Sequence, residues 1–122
     1  RLYSEAMPGD QWPSLTPESA EQAIQEMVRR IVGQFNPHRI ILFGSRAGGS
    51  ARPDSDVDLM VVMPVEHSKA RQEIEIGVAL HDIHVPKDIV VATPDEFELY
   101  RDVVGTLIRP VCREGKVLYA RP

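Results

Sequence analysis

The chain has little with which to build a covalently or metal-stapled framework, for its 122 residues include one cysteine, Cys112. A single thiol excludes an internal disulfide and leaves no cysteine cluster for structural zinc. A reducing compartment fits, so the expected location is the cytoplasm. No apolar run approaches the roughly 20 residues needed to cross a bilayer as a helix, and no membrane partner is expected. A basic surplus is also missing: 14 Lys and Arg stand against 18 Asp and Glu, a formal charge of −4. Template nucleic acid needs clustered cations against its phosphates, so this balance favours a nucleotide or a protein as partner.

What is present suits one core. A hydrophobic content of 43% over this length is that of an ordinary single domain. Residues 1–15 carry Pro8, Gly9 and Pro13 with little periodicity, and read as an extended arm before a domain over 16–122. Thr16-Pro17-Glu18 is a helix start, with Thr16 as cap, and Ala20, Ile24, Met27, Val28, Ile31, Val32 and Phe35 follow at helical spacing up to Asn36-Pro37. Arg39 to Phe43 reads as a buried strand and Val57 to Met63 as a second. A crossing helix is expected over Ser68 to His81, with Ile74, Val78 and Leu80 inward and the acids around Glu73 and Glu75 solvated. Lys87 to Ala92 reads as a third strand. Thr93-Pro94-Asp95-Glu96 starts a helix to about Asp102, Val103 to Arg113 looks helical with a break at Gly105 or Pro110, and Gly115 to Tyr119 ends as a short strand.

Chemistry concentrates between the first two strands. Gly44-Ser45 follows Phe43 directly, where glycine lets backbone N–H groups come close to a phosphate. About ten small and polar residues later come Ser55-Asp56-Val57-Asp58-Leu59. On a strand, side chains two apart share a face, so Asp56 and Asp58 converge and repel unless a cation lies between them. Hard oxygen ligands of this kind suit Mg2+ or Mn2+. An Asp-x-Asp pair alone is ordinarily surface charge; the order strand, Gly-Ser, polar loop, Asp-x-Asp, strand is what carries the signal. Asp88 is second in the third strand and precedes Ile-Val-Val, where pairing with a neighbouring strand would bring a third carboxylate beside the pair. His81 and His84 straddle a helix end and read as hydrated loop residues rather than a metal pair, and Cys112, among Leu107, Ile108 and Val111, reads as a packing residue.

Gly44-Ser45-Arg46 followed by Ser55-Asp56-Val57-Asp58-Leu59 resembles the signature of the DNA polymerase beta-like nucleotidyltransferase superfamily. The short chain, Lys87-Asp88-Ile89-Val90 and the closing Glu114-Gly115-Lys116-Val117-Leu118-Tyr119 look most like its minimal nucleotidyltransferases. The resemblance covers about Ala20 to Tyr119. It implies an α/β fold of the α+β kind, a small mixed sheet flanked by helices. It also implies ATP as substrate with two Mg2+ ions, Mn2+ being an alternative. By position, Asp56, Asp58 and Asp88 match the catalytic, metal-holding acids, and Gly44, Ser45 and Arg46 match the nucleotide-holding turn. Transfer of AMP to an acceptor hydroxyl is the implied chemistry. In the minimal subgroup the acceptor is often a HEPN-type toxin, which makes this chain an antitoxin; a homodimer is the other expected assembly. Family members commonly carry a basic residue where this chain has Gly48, which leaves a non-catalytic antitoxin-like binding module as the alternative. A small-molecule transferase of the antibiotic-modifying kind is a third possibility, for which 122 residues leave little room to hold the acceptor.

Overall fold

The computed structural model describes residues 17–52 and 55–122; the arm expected over residues 1–15 and the Thr16 cap lie outside them. Helix α1 (Pro17–Phe35) buries Ala20, Ile24, Met27 and Ile31, the stripe expected from its spacing. Asn36, at φ 50°, leaves the helix in the left-handed region that asparagine tolerates, and Pro37 prevents its continuation. Strand β1 (Arg39–Phe43) then runs into a single helical turn, α2 (Ser45–Gly48). Strand β2 (Val57–Val62), helix α3 (Lys69–Ala79) and strand β3 (Lys87–Ala92) form a crossover unit. Helices α4 (Pro94–Tyr100) and α5 (Ile108–Glu114) precede strand β4 (Lys116–Ala120).

The sheet runs β3-β2-β1-β4. Strand β1 is antiparallel to β2 and to β4, while β2 and β3 are parallel, as the intervening helix requires. The expected mixed sheet flanked by helices is therefore what forms. Alternation along β2 sends Val57, Leu59 and Val61 to one face, with Ile24, Met27 and Ile31 of α1 and Ile76 of α3. Met60 and Val62 go to the other, against Phe97 of α4 and Val111 of α5. Asp58 shares the face of Met60 by the same alternation.

Two local expectations are revised in part. Of the positions expected inward on the crossing helix Leu80 is buried, together with Ile76, while Ile74 and Val78 are 66% and 63% exposed. Both pairs have helical i, i+4 spacing, so periodicity fits either. Glu73 lies on the helix side of Ile76 and Leu80, and instead of facing solvent its carboxylate accepts the Val91 N–H at 2.9 Å. A hydrogen bond onto the open edge of β3 occupies a donor that another strand could otherwise pair. The second revision narrows the break expected at Gly105 or Pro110: residues 101–107, with Gly105, lie outside any helix, and Pro110 breaks none. It stands third in α5, within the first turn, where its missing N–H has no intrahelical partner to lose. Helix α4 starts as expected: Thr93 and Glu96 exchange the reciprocal hydrogen bonds of a capping box.

Long-range polar ties hold the layers in place. The Arg30 guanidinium reaches Ala79 O at 3.1 Å and Asp82 Oδ2 at 3.1 Å, joining α1 to the end of α3. That bond holds the Asp82 carboxyl down at about 2. Gly115 passes so close to β1 that an added Cβ would meet Ile41 Cγ2 at 2.6 Å, which is why the turn from α5 into β4 has no side chain there.

Candidate active site

Three chain segments end or begin at one end of the sheet. Strand β1 finishes at Phe43, β2 starts at Val57 and β3 starts at Lys87. Antiparallel pairing sets Asp58 opposite Phe43, and parallel pairing sets it beside Asp88. In-register residues on neighbouring strands project from the same face, so the second and third acids of the sequence motif stand side by side. Asp56 lies one residue ahead of β2, exposed, with Val57 behind it fully buried.

The electrostatics record this convergence. The Asp58 carboxyl is raised above its ordinary value, first by burial, then by the charge of Asp88, then by that of Asp56. All three acids are thus within electrostatic reach, with Asp58 at the centre. Among the described residues, no three His, Cys, Asp or Glu side chains are gathered into a finished cage for a metal ion. The acids form a mutually repelling set on one surface, and its all-oxygen chemistry fits a hard divalent cation.

Gly44 sits over the same carboxylate. Its φ of 76° and ψ of −157° lie in a region essentially reserved for glycine, and an added Cβ would overlap Asp58 Oδ2 and come within 3.3 Å of Cγ. Two separate reasons therefore require glycine here: backbone conformation and room for the acid. Ala47 and Gly48 turn their N–H groups back to Gly44 O, at 3.1 and 3.2 Å, which makes Gly44-Ser45 the leading edge of the turn. A pocket of about 510 Å³ opens beside it, walled by Phe43, Leu107, Pro110 and Glu114. That volume falls within the usual range for small-molecule sites, roughly 300–1,000 Å³.

Arg46 does something the sequence did not suggest. Its Nε donates to Ser55 O at 3.1 Å and a terminal nitrogen donates to the same oxygen at 2.9 Å. The side chain closes the loop in front of Asp56. Lys87 acts similarly before Asp88: its ammonium donates to Ile83 O at 2.7 Å and Val85 O at 3.1 Å, and burial lowers its pKa. A backbone bond from Val57 N–H to Pro86 O, 2.9 Å, ties the two acid-bearing segments together. None of these bonds has a motif of its own in the sequence.

The residues set aside in the sequence stay outside this site. Cys112 packs beside the cluster of Val111 and Phe97, with its thiol raised chiefly by burial, which disfavours the reactive thiolate. His81 is exposed, with Nδ1 2.8 Å from Val78 O.

A four-stranded mixed sheet carrying neighbouring acids beneath a glycine-led turn defines an α+β protein with an acidic surface at one sheet end. The sequence profile described as "Nucleotidyltransferase domain" matches residues 24–110, and the chain belongs to that family. Membership in the polymerase beta-like nucleotidyltransferases, expected from the motif, is borne out. A solved structure of a candidate nucleotidyltransferase from Sulfolobus solfataricus is similar with a TM-score of 0.62 and 17% identity, over 93% of this chain and 94% of that one. A toxin–antitoxin structure solved with AMP-PNP is similar at 0.50 and 22% identity, over 83% of this chain and 73% of that one. At these identities the likeness is one of fold. No curated protein matches the chain. Among the described residues, no helix is long and apolar enough to cross a membrane.

Proposed function

We propose that the protein transfers AMP from ATP to a hydroxyl on a partner protein, acting as the antitoxin that adenylylates a HEPN-type toxin. The observation that carries this is the position of Asp58, flanked by Asp88 and covered by Gly44. Asp56 and Asp58, with Asp88 beside them, would hold the Mg2+ ions, which would supply charge neutralisation for the triphosphate during transfer. Gly44 and Ser45 present the turn to the phosphates. Asp88, exposed on the edge strand, takes the proton of the acceptor hydroxyl. The hydroxyl oxygen bonds to the α-phosphorus, the bond to the β-phosphate oxygen breaks, and pyrophosphate leaves.

A protein acceptor is supported by the surface beside the pocket. Leu99, Val103, Val104 and Leu107 are 66%, 44%, 78% and 50% exposed, and Leu107 also walls the pocket next to Gly44. Apolar exposure concentrated in one short stretch of chain suits a contact surface. The likeness to a toxin–antitoxin structure points the same way. The deciding experiment incubates the protein with labelled ATP, Mg2+ and the purified product of the neighbouring open reading frame. Label and a mass gain of one AMP on that partner, abolished by EDTA, are expected. Absence of both transfer and ATP binding by calorimetry sinks the proposal.

A binding module with a weakened nucleotide site is the second reading, favoured by Gly48, where the family commonly has a basic residue. An added Cβ there meets nothing within 4 Å, so a side chain can start at this position without a clash. Gly48→Arg should therefore tighten ATP binding by about tenfold, the worth of one good charge-assisted contact. Calorimetry showing no gain would mean that position 48 lies out of reach of the phosphates.

A further inference from the structure

We propose that Arg46 is a positioning residue that sets the placement of Asp56, rather than a ligand of the nucleotide. The inference rests on Asp56 holding a divalent ion, as in the function proposed above. Asp56 lies outside the sheet ladder, which begins at the pair Val57 and Lys87, so strand pairing alone does not place it. Its backbone is anchored from both sides instead. Behind it, Val57 N–H is bound to Pro86 O at 2.9 Å. In front, Ser55 O receives two donors of the Arg46 guanidinium, at 3.1 and 2.9 Å, and a third, weaker contact runs from Arg46 to Arg52 O at 3.4 Å. Ser55 closes the same turn by giving its own N–H to Arg52 O at 3.0 Å and accepting Arg52 N–H on Oγ at 2.8 Å. A charged fork on one carbonyl is among the stronger hydrogen-bond arrangements, and the two bonds limit rotation of the peptide joining Ser55 to Asp56.

The location of Arg46 agrees. It lines a cavity of about 250 Å³ with Ala20 and Ile24 of α1, Leu42, and Leu118 of β4. Ile24 and Leu42 belong to the core layer under α1, whereas Asp58 and Asp88 alternate onto the opposite face of the sheet. For the guanidinium to reach a phosphate over the acids it would first have to release Ser55 O. Lysine at this position supplies the charge but lacks the planar fork, so it restores the anchor in part.

Manganese binding to the nucleotide-free protein, followed by electron paramagnetic resonance and calorimetry, separates positioning from phosphate contact. Arg46→Ala is expected to weaken Mn2+ binding about tenfold, the lower end of what a residue supporting metal ligands contributes. Arg46→Lys should recover part of that loss. In an Asp56→Asn background, Arg46→Ala should add less than about twofold, because its effect passes through the missing acid. ATP binding in EDTA should be the same for wild type and Arg46→Ala. The proposal is overturned if Mn2+ binding is unchanged in both Arg46 variants, if the loss is undiminished in the Asp56→Asn background, or if ATP binding in EDTA falls instead. Wild-type protein that binds ATP but no Mn2+ would overturn the metal role of Asp56, and this inference with it. Wild-type protein that binds Mn2+ and loses it on Arg46→Ala, yet transfers no AMP, would sustain the inference and sink the proposed function.

Discussion

Asp58→Asn should reduce AMP transfer by about 10³-fold while leaving the fold as stable as before or more so. In the proposed function, several kcal/mol of transition-state charge stabilisation would depend on this carboxylate, and about 1.4 kcal/mol corresponds to each factor of ten. Stability moves the other way because Asp58 is a partly buried acid with two like charges near it. Its raised pKa means that the fold favours the protonated form. Wild-type stability from this group is fully present below the ordinary value of 3.8 and is lost as pH rises through the elevated folded value. Asparagine removes that loss. In EDTA, thermal unfolding should therefore place the variant above wild type at pH 8, with the gap closing as pH falls below 3.8. A lower melting temperature at pH 8 would mean that Asp58 carries stabilising contacts that outweigh the repulsion. The same variant separates the two functional readings: if transfer is the function, neutralisation of the partner disappears with activity, whereas a binding module keeps it.

The second large effect belongs to Gly44. Alanine there enters a backbone region that costs about 1–3 kcal/mol for a residue with a side chain, and its methyl group presses on the Asp58 carboxylate. A drop in melting temperature of about 5–15 °C is expected for a domain of this size. Transfer should fall as severely as in Asp58→Asn, because the acid must move to admit the methyl group. Adding Asp58→Ala clears the overlap and leaves the backbone strain, so the double variant should regain part of the lost stability and none of the activity. Melting of Gly44→Ala within about 2 °C of wild type would show that neither cause operates.

Both expectations depend on facts that differ in how visible they were. The motif Gly44-Ser45 and Asp56-x-Asp58 could be read directly, because it is local: a strand end, a loop and alternate residues of one strand. That Asp88 joins them rested on an expected pairing, which the register of β2 and β3 supplies. That Gly44 must lack a side chain because of Asp58 could not be read, since it follows from the antiparallel pairing of Phe43 with Asp58, 15 positions away in sequence. The exposed residues Val103, Val104 and Leu107 were visible as apolar sequence, but periodicity does not tell a core stripe from a docking surface.

Helix α3 shows the limit most clearly. Ile74 with Val78 and Ile76 with Leu80 obey the same spacing, and hydrophobic pattern alone has no means of ranking them. Rotation of the helix is decided where it packs, by Ile76 against the sheet and by Glu73 reaching the Val91 N–H. Arg46 is similar: its chemistry suits a phosphate, yet its donors are bound to the carbonyls of a loop that folds back on it.

The amino-acid sequence by itself determined most of the elements, the family and the spacing of the acids, because each is encoded by short-range pattern and residue type. Only the tertiary structure decided which face each helix buries, why position 44 has no side chain and what Arg46 holds. Those outcomes depend on contacts between residues distant in the chain, where packing and hydrogen-bond satisfaction choose among arrangements that local pattern leaves equal.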